Sequence, residues 1–435
     1  MISAFILLFL VCFAVLTWFR FSVALVALFA LLPFYLIRYA LGPLPTTLLE
    51  NMIWIILIIF AIQHRYDYQK ITIGLEHIKK NTLAIGIALF LLAATVSLLT
   101  AVNMRSAAGV WKAFFIEPFL IFLIIIFTAG KKTAEEKNLF VARLIGALLF
   151  VGLATSLFAI YQHFTGFLVP YAFWENRHTY RVTGWYGFPN AVGLFLAPLI
   201  PLAMFQIHNY WRTVKDRSPF LFFMALLFIP AAILAIFFAQ STGGLIGAVG
   251  GIGFLLLVYK KTRWPAAAIG IVGIMALFLL PAANPLKQEL LFQDRSGQIR
   301  IAIYAETLAL LKERPVFGAG LASYSERIAP YHRTVNGEGI EIFHHPHNIL
   351  LTMWVNIGIL GLIGFLMIIF WFFRTAIFPQ QKYSLYTPFL LSSMTALLIT
   401  GLVDSPYMKN DLALFFWLLL AGMVVSPQKS QTTSS

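Results

Sequence analysis

The sequence predicts an all-α polytopic membrane protein of about 12–13 transmembrane helices, with one large outward loop that contains an amphipathic helix. Three observations carry that prediction. The chain of 435 residues is 60% hydrophobic and only 11% charged, with a mean hydropathy of +0.85, whereas a soluble domain carries about 25% charged residues. Its apolar residues fall in many stretches close to the roughly 20 residues that a helix needs to cross a bilayer. Alternating ten-residue segments of the outer-membrane barrel type are absent from the sequence.

Hydropathy sets the spans at 3–19, 21–38, 45–62, 83–101, 113–129, 141–163, 188–208, 220–239, 244–259, 265–281, 347–373, 385–403 and 412–426. The first two are short and meet at Arg20, so both span counts stay open. The apolar N-terminus lacks a basic n-region and a small-residue cleavage site, and reads as a retained span. The single cysteine, Cys12, sits inside an apolar stretch, which excludes a disulfide framework or a cysteine-based metal site within one chain.

Loop charge sets the orientation. One set of loops holds 16 basic residues: Arg65, Lys70, Lys79 and Lys80; Lys131, Lys132 and Lys137; Arg212, Lys215 and Arg217; Lys260, Lys261 and Arg263; Arg374 and Lys382; and Lys429. The opposite set, 102–112, 164–187, 240–243, 282–346 and 404–411, holds 12, of which seven lie in the single 65-residue loop. Long translocated loops escape the charge rule, so the first set is expected to be cytoplasmic. The net charge of +14 is then loop charge plus a few basic residues kept for an anionic substrate, and no nucleic-acid partner is expected.

The chain divides into N-terminal spans (1–163), central spans (164–281), a large periplasmic or extracellular loop (282–346), C-terminal spans (347–426) and a disordered cytoplasmic tail (427–435). Within the loop, Ile299, Ile303, Ala305, Leu308 and Leu311 recur at helical spacing, which predicts an amphipathic helix from Gln298 to Lys312. Glu313-Arg314-Pro315 ends it, and Phe317-Gly318-Ala319-Gly320 reads as a turn. The loop is too small to fold alone and is expected to pack on the outer mouth of the bundle.

Polar residues concentrate on that same side. Arg177 and Arg181 lie four apart and would align on a helix. Arg300 opens the amphipathic helix, with Arg295 before it. Guanidinium forks bind phosphate bidentately at any working pH; the plain alternative is solvated loop arginines. His344-His345-Pro346-His347-Asn348 stands at the mouth of a span, where a neutral imidazole can take a proton from a hydroxyl. A metal site and an interfacial cap are the other readings of that tract; metal ligands more often recur at helical spacing or come with distant partners. Asp404, in a short acidic segment between the last two spans, can orient His347 or bind sugar hydroxyls. Glu50 and Glu117 fall inside spans, and structural pairing is favoured for both, with Lys112 close by and Pro118 leaving a backbone carbonyl free. The stripe Gly243, Gly244, Gly247, Gly250, Gly251 and Gly253 is explained most simply by close helix packing. No P-loop or GxGxxG is present.

Taken in order, several of these motifs resemble the O-antigen ligase and polymerase superfamily. They are Arg295-Ser296-Gly297-Gln298-Ile299-Arg300, Glu313-Arg314-Pro315-Val316-Phe317-Gly318-Ala319-Gly320, His345-Pro346-His347-Asn348 and Gly358-Ile359-Leu360-Gly361. Arg181-Val182-Thr183-Gly184 with Pro189-Asn190 is similar to the outer loop before a span in that family, and the likeness covers roughly 180–425. It implies a membrane glycosyltransferase on the outer face of the cytoplasmic membrane. The donor would be a glycan on undecaprenyl pyrophosphate, and the acceptor a glycan, lipid or protein. The resemblance also implies metal-independent transfer without a cofactor. On it, Arg300 holds pyrophosphate, His347 activates the acceptor hydroxyl, Asp404 takes the acidic position, and His345 supports substrate binding. One departure stands out: where the family often carries Ser-Arg, this chain reads Ser241-Thr242, so either Arg177 or Arg181 substitutes, or the substrate differs. The alternatives are a repeat-unit polymerase of the same superfamily, or a transporter or flippase of an anionic lipid or solute.

Overall fold

Among the described residues, thirteen apolar helices overlap the spans set by hydropathy, but the one expected over 21–38 ends at Ala30 and continues as a 3-10 turn over Leu32–Leu36. The computed structural model describes residues 4–42, 44–65, 82–170, 180–212, 218–335, 337–377 and 384–426. Five helices among these are long and apolar enough to cross a membrane: α5 (Met104–Gly130), α6 (Ala134–Thr165), α7 (Pro189–Arg212), α8 (Pro219–Phe238) and α14 (Ile349–Arg374). Eight shorter apolar helices accompany them: α1 (Ala4–Phe19), α2 (Phe21–Ala30), α3 (Leu48–Gln63), α4 (Thr82–Val96), α9 (Thr242–Val258), α10 (Arg263–Leu279), α15 (Thr387–Thr400) and α16 (Asn410–Val425). The loop between α10 and α14 adds α11 (Pro285–Leu290), α12 (Arg295–Glu313) and α13 (Tyr324–Ile328). Strand is confined, among the described residues, to two small antiparallel hairpins. The tail beyond Ser426 lies outside the described residues.

The first pair, ambiguous in sequence, is a helical hairpin. The backbone breaks helical geometry at Arg20 (φ −137°, ψ 57°). Gln63 Nε2 donates to the Trp18 carbonyl at 2.8 Å and Phe21 packs on Phe60, so α1 ends and α2 begins beside the end of α3.

The in-span acids are structural, as their residue types suggest. Glu50 pairs with Lys112, and Glu117 accepts from Trp54 Nε1 at 2.9 Å. Pro118 cannot donate to the carbonyl four residues back, and that orphaned Phe114 oxygen accepts instead from Tyr407 Oη at 2.8 Å. Trp417 Nε1 donates to the same phenol at 3.0 Å. Fully buried Tyr407 thus pins the turn between α15 and α16, which carries Asp404, to α5.

The glycines of α9 let it lie against α15 and α7. A Cβ on Gly251 would stand 2.9 Å from both Ala396 Cβ and the Ser392 carbonyl, and Ser392 Oγ donates to the Gly251 carbonyl at 2.6 Å. The packing explanation holds for Gly247, Gly250 and Gly251; Gly243 and Gly244 have a second role described below.

The large loop is tied to the bundle. Its helix α12 runs Arg295–Glu313, three residues earlier and one later than periodicity sets it, because Asp294 caps it by accepting from the Gly297 and Ser296 amides. Arg300 therefore sits in the second turn and not at the helix start. Leu310, Leu311, Ala319, Tyr324 and Ile328 close a small core with Val355 of α14. The turn after Pro315 docks into a break in α14: Gly358 takes φ +72°, Ile359 N–H donates to the Val316 carbonyl at 3.0 Å and Ala319 N–H to Val355 at 2.6 Å. A Cβ on Gly358 would collide with the Val316 oxygen, so only glycine fits there.

Candidate functional site

Three segments far apart in sequence meet at one end of the bundle: 180–190, the start of the large loop, and the 401–409 turn. Between them lies a cavity of about 790 Å3, lined among others by Tyr180, Arg181, Asn190, Glu289, Ser296, Arg300 and Asp404. That volume falls within the ~300–1,000 Å3 usual for ligand pockets. Phe237, Phe238, Leu290 and Phe292 make its apolar wall, with His163 stacked on Phe238 at 3.6 Å between ring centroids.

Arg181 is held by an irregular segment, not a helix, so the helical alignment with Arg177 is not the arrangement at Arg181; Arg177 itself lies outside the described residues. Gln162 of α6 anchors the segment, its Oε1 accepting from the Thr183 and Gly184 amides at 2.7 and 3.0 Å. Arg181 then spans to the turn between α8 and α9. Its Nε donates to the Ala239 carbonyl at 2.9 Å and its Nη2 to Gln240 at 3.1 Å. This is the same turn in which Thr242 stands where the family pattern has arginine. Burial and the neighbouring Arg300 charge lower the Arg181 pKa, opposed by Glu289; a guanidinium remains charged at neutral pH regardless.

Two further positive features face the cavity. Arg300 is fixed by Nε to the Val403 carbonyl at 3.1 Å and Nη1 to Ser296 Oγ at 2.9 Å. The N-terminus of α9 presents Thr242, Gly243 and Gly244 to the cavity, and no side chain caps it. Uncapped amides at a helix start attract anions. The glycine stripe, read for packing alone, conceals this feature.

Asp404 connects the cavity to the histidines. It is 6% exposed. Its Oδ2 lies 3.5 Å from Asn190 Nδ2, and Asn190 Oδ1 accepts from Arg181 Nη2 at 2.9 Å. Its Oδ1 accepts from the Ser405 amide at 2.8 Å and faces His347 Nδ1 at 3.3 Å. Burial raises the Asp404 pKa, but the His347 hydrogen bond, the charges of His347 and His345, and the Ser405 amide outweigh it and hold the carboxyl below its usual range. Asp404 is therefore an anion that only accepts, which assigns the His347 proton to Nδ1 and leaves Nε2 as the basic nitrogen.

His347 stands two residues before α14, held by its surroundings. Its backbone is left-handed (φ +50°), a conformation that a non-glycine residue keeps only when neighbours enforce it. Tyr304 Oη of α12 bonds the His347 and Leu402 carbonyls at 2.9 and 3.0 Å. Asn348 caps α14, its Oδ1 accepting from the Leu350 and Leu351 amides at 3.0 and 3.1 Å. His345 packs edge-on against His347, ring centroids 4.6 Å apart. Burial, then the His347 charge, lowers the His345 pKa to about 4, so it is neutral at physiological pH. His344 is exposed.

Arg181, Arg300 and Asp404 thus share one cavity; His347 and His345 are not among its lining residues, and His347 meets it behind Asp404. Asn190, Tyr304 and the α9 N-terminus were not singled out as site features by residue type, because their importance arises from contacts between distant segments, such as Tyr304 to Leu402, 98 residues apart, and Asn190 to Asp404, 214 apart.

Comparison with known proteins agrees with this arrangement. Residues 222–366, a third of the chain, match the family model described as O-antigen ligase. This stretch is similar to an O-antigen ligase domain. It runs from α8 through most of α14 and contains Arg300, His345 and His347. Arg181, Asn190 and Asp404 lie outside it and reach the site through the fold. No curated protein matches the chain. The protein thus combines helices long and apolar enough to cross a membrane with a region similar to O-antigen ligases.

Proposed function

We propose that the protein transfers a glycan from an undecaprenyl-pyrophosphate-linked donor to an acceptor hydroxyl, on the outer face of the cytoplasmic membrane. The observation that carries this reading is the series of contacts Arg181–Asn190–Asp404–His347, with a long 3.5 Å step between Asn190 and Asp404, which runs from a cavity lined by two arginines to an oriented imidazole. The donor pyrophosphate lies against Arg181, Arg300 and the α9 amides, with the aromatic wall beside its lipid. Arg181, seated on the 239–240 carbonyls, takes the place of the arginine that Thr242 lacks. The acceptor oxygen attacks the anomeric carbon, and the bond from that carbon to the phosphate oxygen breaks. His347 Nε2 receives the acceptor proton, while Asp404 stabilises the imidazolium that forms. The arginines stabilise the negative charge gathering on the departing pyrophosphate, where charge-assisted bidentate bonds are strongest. General-base help of this kind contributes about 10²–10⁴-fold.

Ligation to a separate acceptor and polymerisation of repeat units use the same step and differ only in what supplies the hydroxyl. The test is incubation of the purified chain with a labelled polyprenyl-pyrophosphate oligosaccharide and candidate acceptors. A covalent glycan product with release of polyprenyl pyrophosphate supports transfer. Passage of the lipid across a vesicle membrane with no covalent product refutes it in favour of transport.

A further inference from the structure

The histidine tract places not three rings but two rings and a distant carboxylate around one point. A ring nitrogen from His345, one from His347 and an oxygen of Asp404 all lie within 4.8 Å of one another. Bonds of about 2.0–2.1 Å to a tetrahedral zinc ion separate its ligands by roughly 3.4 Å. His347 Nδ1 and Asp404 Oδ1 already stand 3.3 Å apart, so the remaining gap closes by about 1.4 Å at most, within reach of ring rotation. Two nitrogens, one carboxylate oxygen and an open fourth position suit zinc-type first-row cations.

We propose that His345, His347 and Asp404 form a binding site for a zinc-type divalent cation, and that the ion switches off His347 as a base. The supporting shell is in place: the Ser405 amide and Asn190 hold the carboxylate, and Tyr304 holds the His347 backbone. Such outer contacts orient ligands and sustain affinity.

The switching argument follows from the imidazole's two nitrogens. Without metal, Nδ1 carries the proton toward Asp404 and Nε2 has the lone pair. An ion seated between His347 and Asp404 takes the Nδ1 lone pair, and the neutral ring then carries its single proton on Nε2. The proton count of the ring is unchanged, but the nitrogen that receives the acceptor's proton is occupied. Arg181 and Arg300 line the same cavity as Asp404, and Lys409, at the end of the turn that carries Asp404, feels its charge; all three oppose cation binding. A bound donor pyrophosphate neutralises part of that charge, so metal binds more tightly to the donor-loaded protein. The switching half rests on the transfer reading above; the binding half does not.

Titration of the purified full chain in detergent with Zn2+, and with Co2+ as a spectroscopic probe, tests the binding half. One equivalent should bind, with the visible bands of a four-coordinate cobalt ion. His345→Ala and Asp404→Asn should each weaken binding at least about tenfold, with unchanged elution and thermal unfolding, and His344→Ala should leave it unchanged. Absence of binding, or equal weakening by His344→Ala and His345→Ala, overturns the site. Once binding is established, excess Zn2+ should slow glycan transfer and a chelator restore it. Stoichiometric binding with undiminished or stimulated transfer overturns the switching half and leaves the site standing. No transfer activity in metal-free protein refutes the function proposed above rather than the metal site.

Discussion

Replacing Asn190 with leucine isolates the link between the donor cavity and the base. The substitution keeps the branching of the side chain at Cγ and removes two hydrogen bonds. The bond from Arg181 Nη2 is 2.9 Å and charge-assisted, the kind whose net worth is about 1.5–3 kcal/mol. The bond to Asp404 is 3.5 Å, at the outer limit of hydrogen bonding, and adds little. Arg181 keeps the Ala239 and Gln240 carbonyls, and Asp404 keeps the Ser405 amide and His347. Neither charge is stranded, so the lower part of the range applies, about 1.5–2 kcal/mol. If both partners drift from register in the transition state, that is roughly a 10–30-fold loss in kcat/KM. The assay is steady-state transfer from a labelled lipid-linked oligosaccharide, with thermal unfolding in the same detergent as the control for folding. A folded Asn190→Leu protein within twofold of the parent would refute the idea that this amide couples cavity to base.

Three other outcomes follow from the same geometry. Arg300→Met should raise the donor KM by about tenfold or more, the worth of one charge-assisted contact, with little change in unfolding temperature. Arg181→Met should lower both donor affinity and stability, because it also strands the carbonyl of buried Ala239. Tyr407→Phe should cost about 1–3 kcal/mol of stability, seen as a lower unfolding temperature, since it leaves the Phe114 carbonyl and the Trp417 indole without their shared partner. An unchanged melting point would show that this phenol does not anchor the Asp404 turn.

Much of this architecture can be read from local pattern. Apolar length marks the helices of the bundle, because each must satisfy its backbone within one segment of a bilayer, whereas the short loop helices α11 and α13 leave no such mark. The period of Ile299, Ile303 and Leu311 marks α12 to within three residues, the difference lying in the Asp294 cap. Arg300, His347 and Asp404 stand out because charged or titratable groups beside spans are costly to hold there. What local pattern does not carry is juxtaposition. Asn190 is an ordinary first-turn residue until the turn before α16 brings Asp404 to it. Tyr304 is one aromatic on an amphipathic helix until it bonds the His347 carbonyl. The glycines at 243 and 244 serve packing in any small-residue stripe, and only the fold shows that they also line the cavity. Sequence spacing likewise does not relate Arg181 to the 239–240 carbonyls that it bonds.

The central claim is that His347 removes the acceptor's proton while the arginines hold the donor. Single-turnover transfer by His347→Gln, measured beside donor binding in the same preparation, tests it most directly. The account predicts a fall of about 10²–10⁴-fold in the transfer rate with donor affinity within a few-fold of the parent. Transfer at the parent rate by the folded variant would contradict it.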